Sequence, residues 1–316
     1  MAGLKAVVVG TGMMGPGIAI SLSATGIETV LVGRTQESTQ RGFSQSLNYL
    51  QVLREHQLIN AVQFDAGQSH LSSSSRLNEA LSTSDFVFES IPENLALKQE
   101  FFKHLDEYSP KNAILCSNTS GISITRIAEG AKYPERIMTA HFWNPPHLMP
   151  LVEVVMGEKT DEGSALRVME IVRRCGKSPV LVRKDTPGQL GNRLLQALVR
   201  EAIHIVQSGI ASVEAVDLVV KRGFGLRMPV WGILEHADAV GLDLVEAVQN
   251  YVLPHLNQET QASPLLGEKL NLGEAGVKSG KGFYDWEVRD IQAAKRNRDE
   301  FLIEFLKKHQ SERLAP

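Results

Sequence analysis

Cysteine is scarce in this chain of 316 residues: Cys116 and Cys175 are the only two, far apart and without pairing or metal-ligand spacing. That argues against a disulfide scaffold and a zinc module, and no metal is expected. A reducing cytoplasm is the natural compartment. Neither sign of charge dominates; the formal net charge of −3 and pI near 6.3 remove the electrostatic case for a nucleic-acid binder. No apolar run approaches the roughly 20 residues that span a bilayer. Met1-Ala-Gly-Leu-Lys-Ala lacks the basic-then-apolar layout of a secretory signal, and no internal repeat is visible. Aromatic residues make up only 6%, yet 43% of the chain is hydrophobic, enough for two domains whose cores need no staples.

Residues Lys5–Val9 form a short apolar run, followed by a glycine-rich turn, an apolar helical segment over Ile18–Ala24 and a β-branched run over Glu28–Gly33. Strand, turn, helix and strand within about 30 residues make one βαβ unit. Further strands are expected at Phe86–Ser90, Ala113–Cys116 and Ile137–Phe142, with an edge strand at Val180–Val182. The polar stretch Gln36–Leu81 reads as a helix–loop–helix excursion ending in a turn-prone serine cluster, Ser69–Ser75. This alternation predicts an α/β fold with a doubly wound parallel sheet. Asp185-Thr-Pro-Gly punctuates the chain. Beyond it Leu194–Ile210, Val213–Arg222 and Leu242–Leu256 carry apolar residues at helical spacing. The expected domains are therefore 1–186, built on the sheet, and 187–316, all helical. A charged helix from Arg289 to Lys308 closes the second, and its Phe301/Leu302/Phe305/Leu306 stripe could pack on its own subunit or on a partner.

Gly10-Thr-Gly12-Met13-Met14-Gly15 follows a strand and opens a helix, the context a dinucleotide fingerprint requires. The first glycine permits the turn, the second admits a pyrophosphate, and the third lets helix and strand pack closely. Helix N–H groups then face the phosphates, making this a Rossmann-type domain. Met13 and Met14 lie in the binding turn, and their side chains are expected to pack in the core. The second strand ends in Gly33-Arg34-Thr35 where NAD-specific folds place a ribose-binding acid. No carboxylate repels a 2′-phosphate there, and a guanidinium plus a hydroxyl can bind one, which favours NADP. The alternative is that Arg34 stacks on adenine or faces solvent, leaving NAD.

Ser117-Asn118-Thr119-Ser120 follows a strand, where loops of parallel sheets gather ligand contacts. His141-Phe-Trp-Asn144-Pro-Pro and Pro150-Leu-Val-Glu153 come next. The prolines between His141 and Glu153 suit a strand, a turn and a return that brings carboxylate to imidazole. A histidine so oriented is a standard general base. Glu93 and Lys98 lie just after the Phe86–Ser90 strand, where they could reach a ribose or nicotinamide; a charge pair at a helix start is the plainer reading. His104, His147, His204 and His236 read as surface or packing residues.

Together these pieces resemble the L-3-hydroxyacyl-CoA dehydrogenase family along nearly the whole chain. The carriers are the glycine turn, Glu89-Ser-Ile-Pro-Glu93-Asn94, Ser117-Asn-Thr-Ser120, His141-Phe-Trp-Asn144-Pro145, Leu151-Val-Glu153-Val and Asp185-Thr-Pro-Gly188 with Asn192-Arg193. Gly241-Leu-Asp243 and Lys278-Ser-Gly-Lys-Gly282-Phe-Tyr284 extend the match into the helical half. The resemblance implies a nucleotide domain followed by a helical domain that makes a homodimer. It implies His141 as base, Glu153 orienting it, and Ser120 and Asn192 on the reacting oxygen. Asn144 would place substrate and nicotinamide, while Ser90, Glu93, Lys98 and Asn118 would sit around the coenzyme. The implied reaction moves hydride between the 3-carbon of an acyl thioester and NAD(P).

Two departures stand out. Gly33-Arg34 replaces the ribose acid, and Gln36 to His56 offers only Arg41 and Arg54 where acyl-CoA members have a lysine-rich helix. The family also holds dehydrogenases of small free acids and alcohols, such as carnitine, gulonate and a pyridine-carboxylate aldehyde. Asn144-Pro-Pro-His147 and Ser120-Gly121 look closer to those. Arg227 could bind the carboxylate of such a substrate, or simply face solvent at a helix end. A dinucleotide-binding protein without catalysis is the remaining alternative, which the presence of Ser120, His141, Glu153 and Asn192 opposes.

Overall fold

The computed structural model describes residues 3–309. The chain divides into two compact units, Met1–Asn192 with Arg296–Pro316, and Arg193–Lys295. In the first, β1 (Lys5–Val9), α1 (Gly15–Ser23) and β2 (Glu28–Val32) form the opening βαβ unit. There follow α2 (Gln36–Glu55), α3 (Ala61–Ser69), β3 (Leu71–Ser74), α4 (Leu77–Leu81), β4 (Phe86–Glu89), α5 (Leu95–Tyr108), β5 (Ile114–Ser117) and α6 (Ile124–Ile127). The unit continues through β6 (Ile137–Phe142), β7 (Leu151–Met156), α7 (Glu162–Arg174) and β8 (Ser178–Val182).

One sheet holds all eight strands in the order β3-β2-β1-β4-β5-β6-β7-β8. The first six run parallel, and β7 and β8 run the other way. Strand alternation explains why both faces are covered. Ala6 and Val8 enter one core with α1 and α7, while Val7 and Val9 enter another with Phe102 and Leu105 of α5 and Ile124 and Ile127 of α6. The chain reverses its direction of winding between β1 and β4, so a crevice opens there beyond the carboxyl ends of the strands.

Two expectations need correction. The serine cluster contains a strand: β3 adds to the sheet edge, with Thr29 opposite Leu71 and Val32 opposite Ser74. Serine is a poor strand former, but β2 presents an unpaired ladder and Leu71 supplies a buried anchor, so pairing overrides propensity. Met13 does not pack in the core either, being 70% exposed; only Met14 rests against it. Two local signals explain the helix starts in the serine-rich excursion. Thr35 and Asn60 close capping boxes with Ser38 and Gln63.

The second unit is wholly helical. It contains most of α8 (Gly191–Gln207), then α9 (Val213–Arg222), α10 (Phe224–Arg227), α11 (Ile233–Val240), α12 (Leu242–Val252) and α13 (Pro264–Asn271). No residue of these helices is buried. The segment Lys278–Tyr284 is architectural: Gly276 N–H donates to Lys281 O at 2.6 Å and the Tyr284 hydroxyl to Asp217 at 2.8 Å. The charged helix α14 (Ile291–Lys308) buries Ile303 and Leu306 in the core of the first unit, flanked by Leu302 and Phe305, whereas Phe301 is exposed. Its apolar stripe thus packs on its own chain.

Candidate active site

The glycine turn is closed on two sides and open on the third. A Cβ at Gly10, where φ is +112°, would lie 2.3 Å from Ser90 O, and one at Gly15 would lie 1.7 Å from Gly10 O. A Cβ at Gly12 would meet nothing within 4 Å. Gly10 and Gly15 are therefore required by strand and helix packing, and Gly12 keeps the space into which a pyrophosphate fits. The start of α1 has no side-chain cap and no acid in its first turn, so its N–H groups remain available to an anion. These features fit a dinucleotide.

At the end of β2, a Cβ on Gly33 would lie 2.4 Å from Thr39 Oγ1 and 2.8 Å from Thr39 N, so no acidic side chain has room in this conformation. Arg34 is exposed and pairs with no carboxylate among the described residues. Thr35 is less available, because its hydroxyl bonds to Ser38 in the α2 cap. Arg41 is taken up by Glu37.

Across the crevice, Glu89 is a buried hub whose part the sequence alone did not reveal. Its Oε1 accepts from Lys98 Nζ and Ile91 N–H, each at 2.6 Å, and its Oε2 from the Ser117 hydroxyl at 2.6 Å. Glu89 and Lys98 are both almost fully buried, and each charge is compensated by the other. A lysine that follows a strand-end acid by nine positions was the available signal. Glu93 Oε1 accepts from Thr119 Oγ1 at 2.5 Å and from the N–H groups of Ser120 and Gly121 at 3.1 and 3.2 Å. It therefore shapes the loop after β5, leaving Oε2 near Lys98 at 3.5 Å.

His141 and Glu153 stand directly opposite one another in the antiparallel β6–β7 pair. Side chains of opposed residues share a face, and Nδ1 of His141 lies 2.8 Å from Glu153 Oε2. Trp143 Nε1–H donates to the same oxygen at 3.1 Å, and the N–H groups of Leu190 and Gly191 donate to Oε1 at 3.0 and 2.8 Å. Burial alone would push the Glu153 carboxyl up. The bonds from His141, Gly191 and Trp143, helped by the His141 charge, outweigh it and bring the pKa down to about 2. An ionised Glu153 accepts Nδ1–H, which leaves the His141 Nε2 lone pair for a proton. No described residue bonds to Nε2.

The loops beside the pair are clamped to one another. Asn118 Oδ1 accepts from Phe142 N–H at 2.7 Å, tying the end of β6 to the end of β5. Asn192 Nδ2 donates to Ser120 O at 2.5 Å, and Gln189 Nε2 to Thr119 O at 2.7 Å. Asp185 accepts from the Ser123 hydroxyl and Thr125 N–H, which accounts for the Asp-Thr-Pro-Gly motif. Ser120 and Asn144 are exposed beside these clamps. The structure thus brings His141, Glu153, Ser120, Asn118 and Asn192 into one neighbourhood of the first unit, whereas Arg227, exposed in α10, belongs to the second. His147 stacks on Tyr49 with ring centres 3.9 Å apart. Burial and the Lys177 charge push its pKa down to about 3, so it stays neutral and packs, as expected. A cavity of about 460 Å³ lined by Leu53, Arg54, His147, Cys175, Lys177 and Leu306 includes none of the nominated catalytic residues.

Two family models match nearly end to end: "3-hydroxyacyl-CoA dehydrogenase, NAD binding domain" over residues 5–186 and the C-terminal domain of the same enzymes over 188–286. The chain belongs to the 3-hydroxyacyl-CoA dehydrogenase family. It is accordingly an oxidoreductase of the family type, with an NAD-binding first unit. The 5-formyl-3-hydroxy-2-methylpyridine 4-carboxylate 5-dehydrogenase of Mesorhizobium japonicum is 31% identical, over 94% of this chain and 95% of that protein. A solved structure of an enzyme of that name, described as an NAD+-dependent dismutase, superposes with a TM-score of 0.90 at 30% identity, covering 96% of this chain and 99% of the other. The (S)-3-hydroxybutyryl-CoA dehydrogenase of Ralstonia eutropha gives 0.74 at 31% identity, covering 89% and 98%.

The glycines allow a clean separation of folding from binding. Gly12→Ala is expected to keep the wild-type melting temperature and to weaken coenzyme binding by at least about tenfold, the cost of one lost close approach to a phosphate. Gly15→Ala is expected to lower the melting temperature outright. Calorimetric titration beside thermal unfolding checks both, and wild-type coenzyme affinity in Gly12→Ala contradicts the assignment of the turn.

Proposed function

We propose that this family member oxidises a secondary hydroxyl, or reduces the matching carbonyl, at His141, the substrate being a 3-hydroxyacyl thioester. The observation that carries the reading is the Glu153–His141 pair, whose geometry leaves Nε2 without a bond from any described residue. The nicotinamide, when bound, supplies the hydride acceptor or donor. In the oxidising direction His141 Nε2 takes the hydroxyl proton, and Glu153 stabilises the imidazolium that results. In reduction His141 returns that proton to the oxygen. Ser120 and Asn192 hold the reacting oxygen, Asn144 places the substrate, and Glu93 and Ser90 line the coenzyme side, whereas Lys98, expected there, is buried behind them on Glu89. His141→Gln is expected to lower kcat/KM by about 100-fold or more with coenzyme affinity unchanged.

A small free hydroxy acid or aldehyde is the second reading. The TM-score of 0.90 to a pyridine-carboxylate dehydrogenase favours it, as does the absence of a free basic cluster at the start of α2. We also infer a preference for NADP, supported by the unpaired Arg34 and by Gly33, which has no room for a ribose acid. Initial rates with acetoacetyl-CoA and either NADH or NADPH decide both matters. Turnover establishes the thioester, and its absence in protein that binds coenzyme moves the substrate to a free acid; faster turnover with NADH removes the NADP preference.

We further infer a cytoplasmic homodimer. Support for the dimer comes from the helical unit, where Leu194, Leu218, Trp231, Leu234, Leu242 and Tyr251 are all exposed in the single chain. Two free cysteines and the absence of a membrane-spanning helix among the described residues are compatible with the compartment. Sedimentation at micromolar concentration is expected to give twice the chain mass, and a lone 34.7 kDa species contradicts it.

A further inference from the structure

Trp143 is the one side chain on Glu153 that the proton transfer leaves without a task. It lies two residues past His141, off the end of β6, with its ring centre 5.6 Å from the imidazole at a tilt of 48°. Its Nε1–H donates to Glu153 Oε2 at 3.1 Å, the oxygen that also faces His141 Nδ1. Its ring edge also covers Gly191, where a Cβ would lie 2.4 Å from Cζ2. The other carboxylate oxygen takes two backbone N–H groups from Leu190 and Gly191, at the start of α8.

A carboxylate oxygen offers two lone-pair directions in its plane. With Trp143 in one direction of Oε2, a single direction is left for His141. Three donors other than the imidazole (one indole and two backbone N–H groups) therefore set the plane of the carboxylate before the imidazole is added. The arrangement also explains why position 191 is glycine: a side chain there would drive the indole off the carboxylate. A phenylalanine at 143 would fill much of the same volume but donate nothing.

We propose that Trp143 is a positioning residue, whose indole N–H fixes the plane of Glu153 and thereby the orientation of His141. This rests on the reading of His141 as the base. Replacing Trp143 with 3-benzothienylalanine, which exchanges only the ring N–H for sulfur, tests it in the full-length enzyme with coenzyme and its best substrate. Trp143→Phe serves as the second variant. In both, kcat falls by about tenfold, the effect of weakening one hydrogen bond to a charged group. KM for substrate and coenzyme stays within about twofold, since uniform binding is untouched. The downfield proton resonance of His141 Nδ1–H also moves. Wild-type kcat in the benzothienyl variant overturns the proposal, as does a loss confined to KM; either result makes Trp143 a packing residue. Should Trp143→Phe fail to fold, the isosteric variant still decides. Full activity in His141→Gln, by contrast, sinks the base itself, whatever Trp143 does.

Discussion

The carboxylate of Glu153 is the interaction on which the site depends. It is buried, so its charge has to be compensated locally, and four donors do so: two side chains and two backbone N–H groups. Each hydrogen bond to a charged group contributes roughly 1.5–3 kcal/mol. Together they hold the end of β6, β7 and the first residues of α8 around one point. The same carboxylate sets the tautomer of His141, so one requirement, neutralising a buried charge, serves both packing and chemistry. A second buried carboxylate, Glu89, does comparable work across the crevice with Lys98 and Ser117, joining the ends of β4 and β5 to α5.

These hubs are carried by a sheet whose winding changes direction between β1 and β4. The parallel strands bring the glycine turn, the strand-end acid and the serine loop to one edge. The reversal at β6–β7 then lays Glu153 opposite His141. The same frame is shared with the enzyme named for a pyridine carboxylate and with one named for a thioester, which superpose over 96% and 89% of this chain.

Much of this was legible in the amino-acid sequence. The β-branched run Lys5–Val9, the glycines after it and the helical spacing of Val213–Arg222 each encode a local preference that the fold respects. The prolines between His141 and Glu153 correctly implied a turn and a return. Strand β3 was hidden because its stabilisation comes from pairing with β2, not from Ser72, Ser73 and Ser74. The parts of Glu89, Thr119, Trp143 and Gln189 were hidden for a related reason. Their partners lie between 9 and 70 positions away in the chain, and no local pattern encodes such a meeting. Met13 misled because hydrophobic character alone does not say which side of a tight turn faces solvent.

The central claim is that Glu153 holds a proton on Nδ1 of His141 and leaves Nε2 as the base. Nitrogen NMR of the full-length protein labelled at histidine reads this directly, with His141→Gln providing the assignment. At a pH high enough that the ring carries a single proton, the account predicts that proton on Nδ1 and a bare Nε2 for this one ring. A proton on Nε2 with Nδ1 bare would mean that Glu153 does not set the tautomer, and the proposed path of the proton would fall with it.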